Sequence, residues 1–119
     1  MKGVYVLFLE LRKEKEIEIG ALGLKKFRRG RYAYVGSAQN SVEKRLERHF
    51  SRDKKMHWHI DYLTQEARPY DYFVLPETGE YEEILASILE DIAEPVPGFG
   101  ASDSSKNSHL FRLPKSLTD

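Results

Sequence analysis

Residues 3–11 read GVYVLFLEL and residues 32–36 read YAYVG. β-Branched and aromatic side chains dominate both stretches, which predicts two strands, the first largely buried. Gly36 ends the second. Alternate residues of a strand share a face, so Tyr32 and Tyr34 point the same way, and neighbouring strands could bring Tyr5 and Tyr34 together.

Outward from these strands, Arg12–Glu16 is a charged turn and Ile17-Glu18-Ile19 a short alternating strand. Lys25–Arg31 (KKFRRGR) is expected as a basic loop around Gly30. Asn40–Arg52 has a helical pattern, with Asn40 as cap, Glu43 three residues on, and Val42, Leu46, His49 and Phe50 on one face. His57–Thr64 is a short helix or packed turn, and Tyr70–Leu75 a further strand. Glu80–Ala93 is a second long helix, its apolar stripe formed by Tyr81, Ile84, Leu85, Ile88, Leu89 and Ile92. Pro95 and Pro97 stop it. His109–Leu113 could add an edge strand. The order of elements indicates an α+β fold, and 119 residues without an internal repeat indicate a single domain over 1–119.

The chain has no cysteine, which excludes disulfides and thiolate metal sites. No apolar run approaches the roughly 20 residues of a membrane helix, so the expectation is a cytoplasmic protein without a membrane partner. The formal net charge is zero, yet residues 1–60 carry +8 and residues 61–119 carry −8. Phosphate binding follows local rather than total charge, so this asymmetry suggests a basic working face.

Some groupings bear on chemistry. Arg45 and His49 lie one above the other on a helix, with the guanidinium at the rim of the apolar face, where it could grip a phosphate through two hydrogen bonds. Glu82 borders the apolar stripe of its helix while Glu83 points away. A rim carboxylate with substrate phosphate oxygens suffices to hold Mg²⁺. His57 and His59 alternate around Trp58 without a third ligand at telling spacing. Ser102, Asp103 and His109 lack the strand-turn-helix elbow that a nucleophilic serine uses. Gly98-Phe99-Gly100 ends a helix rather than opening one, so it is no phosphate cradle.

Together, GVY at 3–5, YVG at 34–36, Arg45 with His49, and a glutamate on the next long helix resemble the GIY-YIG nuclease superfamily. YAYVGSA (32–38), RLERHF (45–50), HWHIDYL (57–63), PGFGASD (97–103) and SHLF (108–111) narrow the resemblance to its small stand-alone Uri-type subfamily. The resemblance implies a small three-stranded antiparallel sheet flanked by helices, and hydrolysis of DNA phosphodiester bonds with one Mg²⁺ or Mn²⁺. It implies a structure-selective or weakly sequence-specific endonuclease. Its catalytic set would be Tyr5, Tyr34, Arg45, His49 and Glu82. Tyr5 would orient or deprotonate water, its pKa lowered by Arg45. Arg45 would offset charge on the phosphate, and Glu82 would hold the metal. His49 would hydrogen-bond a phosphate or a motif tyrosine.

Lys25, Lys26, Arg28, Arg29 and Arg31, with Lys44, Arg48, Lys54 and Lys55, would track the backbone of DNA, or of RNA. A DNA-repair protein could direct it. The subfamily often has cysteines where this chain has Glu83, Ser104 and Lys106, and the late asparagine of many GIY-YIG domains has only Asn107 as a candidate. The alternative is a non-catalytic nucleic-acid-binding module that keeps the fold.

Overall fold

The computed structural model describes residues 2–76, 80–100 and 108–118. The positions singled out above at Ser102, Asp103, Ser104, Lys106 and Asn107 lie outside the described residues. Strand β1 (Gly3–Leu11) runs antiparallel to β4 (Gly30–Ala38) on one side and to β5 (Arg68–Leu75) on the other. Two short strands, β6 (Glu94–Pro95) and β7 (Leu110–Arg112), extend the sheet to the order β5-β1-β4-β7-β6. The α+β class stands, but the main sheet has five strands rather than three. The tail strand β7 lies inside the sheet rather than at its edge, because the two residues of β6 pair along its outer side.

The segment expected as a basic loop is mostly strand. β2 (Lys15–Glu18) and β3 (Leu24–Phe27) form a separate hairpin, and β4 already begins at Gly30. Gly20 and Gly23 adopt φ of 48° and 82°, which lets the chain reverse between the two strands. Ile17 and Phe27 then bury one face of the hairpin, at 6% and 1% exposure, while Lys26 stays in water. Charge in the sequence thus conceals a strand with one wet face.

β1 is covered on both faces, which explains its nearly unbroken apolar run. On one side Tyr5, Leu7, Leu9 and Leu11 pack with Val42 and Leu46 of α1 (Val42–Phe50) and with Ile60 and Leu63 of α2 (His59–Leu63). Ile17, Phe27 and Phe99 complete that cluster. On the other side Val4, Val6, Ala33, Val35 and Phe111 receive Leu85, Ala86 and Leu89 of α3 (Glu80–Ile92). A short α4 (Lys115–Thr118) follows β7.

Three details differ from the sequence reading. Helix α1 is capped by Ser41, not Asn40: the Ser41 hydroxyl accepts from the Lys44 N–H at 3.1 Å. Phe50 lies outside the buried face of α1 and meets Tyr72 edge-on, with both rings more than 40% exposed. Helix α3 is also rotated from expectation. Its buried arc centres on Ala86, a side chain small enough to let the helix sit close to the sheet, whereas Tyr81, Ile84, Ile88 and Ile92 are 40–52% exposed. At about 100° per residue, Glu82 then falls within the covered arc instead of beside it.

Phe99 is fully buried, with ring contacts to Phe27, Tyr34 and His59 at 5.6–6.3 Å. Phe99→Ala should therefore cost about 3–5 kcal/mol of stability. Urea unfolding of both proteins measures it, and a loss below about 1 kcal/mol would contradict this packing.

Candidate active site

The register of β1 on β4 places Tyr5 opposite Gly36. A Cβ at residue 36 would collide with the Tyr5 hydroxyl, so the glycine makes room for the phenol. That hydroxyl shares a hydrogen bond of 2.6 Å with Nε2 of His49. His49 is 1% exposed, and its Nδ1 has no hydrogen-bond partner. Burial, aided by the nearby charge of Lys54, pushes its pKa down to about 3. Burial likewise holds Tyr5 well above the ordinary tyrosine value, and Tyr34 adds to the rise. Arg45 pulls the other way without prevailing, so the expectation that it makes Tyr5 acidic is corrected. Desolvating a phenolate costs more than one guanidinium returns here.

In front of this pair lies a cavity of about 370 Å³. Tyr34, Ser37, Arg45, Glu82, His59 and His109 contribute to its wall, and so does Glu83, which the helix periodicity predicts to point away. Three residues of the proposed catalytic set, Tyr34, Arg45 and Glu82, therefore face one space. Tyr5 and His49 stand behind it, linked to Tyr34 by ring contacts of 6.4 and 6.2 Å.

Each wall residue is held from a different element. Arg45 rises from α1, donates Nη1–H to the Ser37 carbonyl at 3.0 Å and lies 4.1 Å over the Trp58 ring. That cation–π contact and hydrogen bond fix the guanidinium plane. Trp58 is positioned by Asp61, which is fully buried and accepts from the His57 and Trp58 N–H groups and from Arg48, each at 2.8 Å. Burial alone would raise the Asp61 carboxyl, but these three donors hold it below its usual range.

Glu82 enters from α3. Its Oε1 accepts from the Ser37 hydroxyl at 3.1 Å, and its Oε2 lies 3.5 Å from Nδ1 of His109. Tyr34 is raised by burial first and by the Glu82 charge second. Burial also lowers His59, whose Nδ1 accepts from the Gly100 N–H at 2.8 Å and which therefore presents Nε2–H.

Sequence reasoning missed the place of His109. Both its ring nitrogens are buried without hydrogen-bond partners, 2% of the residue is exposed, and it reaches the wall because β7 pairs with β4. The usable signal was SHLF: a polar residue at the head of an apolar strand. The sequence reading instead groups His109 with Ser102 and Asp103 as parts of a nucleophile triad.

The expected phosphate-tracking residues divide. Arg48 is engaged with Asp61 and the Lys55 carbonyl, and Lys54 donates to Thr64 at 2.6 Å and to two α1 carbonyls. Both secure α1 to the following segment rather than forming an open cationic face. Lys25 donates to the Pro97 carbonyl, Lys26 pairs with Glu14, Arg28 with Glu94 and Arg31 with Glu10. Those ion pairs are exposed and weak, so phosphate can exchange for their carboxylates. Lys44 is exposed beside a shallow groove that shares Ser37 and Arg45 with the cavity. Lys55 is exposed as well, and Arg29 lies in another cleft, at the far end of β4.

Among the described residues no three His, Asp or Glu side chains are grouped to hold a metal unaided. Glu82, with one oxygen beside an unpartnered imidazole, suits an ion completed by water and phosphate oxygens. No helix among the described residues is long and apolar enough to cross a membrane.

The chain belongs to the family described as Domain of unknown function DUF123, whose model matches residues 4–119. No curated protein and no solved structure matches it.

The depressed His49 pKa has a consequence for stability. The unfolded chain takes up a proton at this position near pH 6.5, while the folded chain refuses it until about pH 3. The contribution is complete above pH 6.5 and declines as pH falls, by up to about 1.4 kcal/mol per unit. His49→Gln should flatten the urea stability profile between pH 4 and 6.5 by one proton. An unchanged slope would contradict a buried, neutral His49.

Proposed function

We propose that this protein is a divalent-metal-dependent phosphodiesterase of the GIY-YIG type that cuts nucleic acid, with DNA as its substrate. The observation that carries this reading is the meeting of Tyr34, Arg45 and Glu82 around one cavity, from β4, α1 and α3. A phenol, a guanidinium and a carboxylate are a sparse set, but they cover the needs of phosphodiester hydrolysis: water placement, charge stabilisation and a metal anchor.

Arg45 binds the scissile phosphate. Its plane is set by Trp58 and the Ser37 carbonyl, leaving N–H groups for two non-bridging oxygens, where negative charge grows in the transition state. Glu82 would hold one Mg²⁺ or Mn²⁺, with His109 beside it. A bound ion would supply charge neutralisation at the leaving oxygen and would offset the Glu82 charge that raises Tyr34.

Tyr34 orients the attacking water through its hydroxyl. Tyr5 has its hydroxyl committed to His49 under Gly36, so it acts as the support that fixes Tyr34 and the β1–β4 register. His59 offers Nε2–H to the phosphate or the leaving group. Lys44 and the neighbouring groove draw the flanking backbone toward the site.

Labelled DNA incubated with purified protein tests the reading. Cutting in Mg²⁺ or Mn²⁺ should vanish in a chelator and fall at least 100-fold in Glu82→Ala and Arg45→Ala. Tyr5→Phe should lose far less than Tyr34→Phe. Salt-sensitive binding with no cutting under any metal would replace the nuclease with a non-catalytic binding module.

A further inference from the structure

A cleft of about 510 Å³ lies away from the proposed active site. Arg12, Arg29, Arg31, Arg112 and Lys115 line it, against one carboxylate, Glu10. It sits near the start of β4, and Arg31 and Ser37 are six residues apart on that strand, about 20 Å at 3.3 Å per residue.

The cleft is continuous with an aromatic cluster on the α3 side of the sheet. Arg31 lies 5.3 Å from the centre of the Tyr70 ring. Phe8 stands 6.3 Å from Tyr70 and 6.2 Å from Phe73. Tyr70 and Phe73 are each 42% exposed on the sheet's edge strand. The register places Arg68 across from Glu10 on the same edge strand, adding another cation beside the rings.

Exposed rings abutting an arginine-lined cleft answer to one kind of ligand. It carries anionic groups at short intervals and flat apolar faces between them. Duplex DNA keeps its bases stacked inside and offers only phosphates, whereas an unpaired strand offers both. We propose that this surface binds single-stranded nucleic acid, with bases on Tyr70 and Phe73 and phosphates in the cleft formed by Arg12, Arg29 and Arg112. This deepens the nuclease reading and rests on it only for the role: a nuclease so built holds an unpaired strand about 20 Å from the cut, selecting flaps, gaps or single strands over plain duplex. The binding itself uses none of the cavity residues.

The test is fluorescence anisotropy of a labelled 20-mer of thymidylate and of a hairpin duplex, in chelator so that no cutting occurs. Wild type should bind the single strand at least tenfold more tightly. Tyr70→Leu/Phe73→Leu should weaken single-strand binding about tenfold or more and leave duplex binding unchanged. Arg12→Gln/Arg29→Gln should reduce the salt slope of single-strand binding by about 1.4. The arginine pair is a second route should the aromatic pair disturb folding, which circular dichroism checks.

Unchanged single-strand affinity in both double variants would overturn the proposal. So would equal affinity for both substrates. Self-association by sedimentation that disappears in the aromatic variant, without single-strand binding, would overturn it in favour of a protein interface. Binding is read in chelator and cutting in Mn²⁺, so a failed nuclease reading and a failed strand-binding surface give different results.

Discussion

The hydrogen bond between Tyr5 and His49 is the constraint around which the candidate site is arranged. It joins the central strand to α1 through a hydroxyl and an imidazole that are both out of water. Each has given up solvent and found its partner in the other, so removing either strands a polar atom in the core. The bond can form only because Gly36 leaves space under β4, and Gly36 faces Tyr5 only in the observed register. A slip of one residue would turn every side chain of β1 to the wrong face. Strand register, helix position and the back wall of the cavity are therefore fixed by the same contact.

From that wall outward the site is assembled from separate elements. α1 delivers Arg45, α3 delivers Glu82, β7 delivers His109 and the segment before α2 delivers Trp58. The neutral state of His49 is part of the design. A charged imidazole behind Tyr34 would repel both Arg45 and a metal ion, and burial keeps it uncharged throughout the physiological range. Burial likewise keeps Tyr5 protonated.

Much of this was legible in residue order. The apolar run 3–11, the helix around Arg45 and His49, and the long helix carrying Glu82 all show clear periodicity. The glycine-flanked tyrosines bring Tyr5 and Tyr34 together as adjacent-strand geometry implies. What was hidden has physical reasons. The β2–β3 hairpin puts Glu16, Glu18 and Lys26 on its wet face, which reads as a loop when only charge is weighed. The strands β6 and β7 are two and three residues long, too short for a pattern. The rotation of α3 depends on Ala86, whose small size matters only against the sheet it meets. Arg48 and Lys54 read as free cations because nothing in their spacing announces Asp61 or Thr64. The place of His109 depends on a long-range pairing that no local pattern encodes.

The central claim is that Glu82 anchors a divalent ion where Arg45 holds a phosphate. Calorimetric titration of Mn²⁺ into the protein, with and without an uncleavable phosphorothioate oligonucleotide, tests it most directly. The account predicts one ion per chain, bound more tightly when the oligonucleotide is present, and lost in Glu82→Gln while the oligonucleotide still binds. Equal Mn²⁺ uptake by wild type and Glu82→Gln would contradict it.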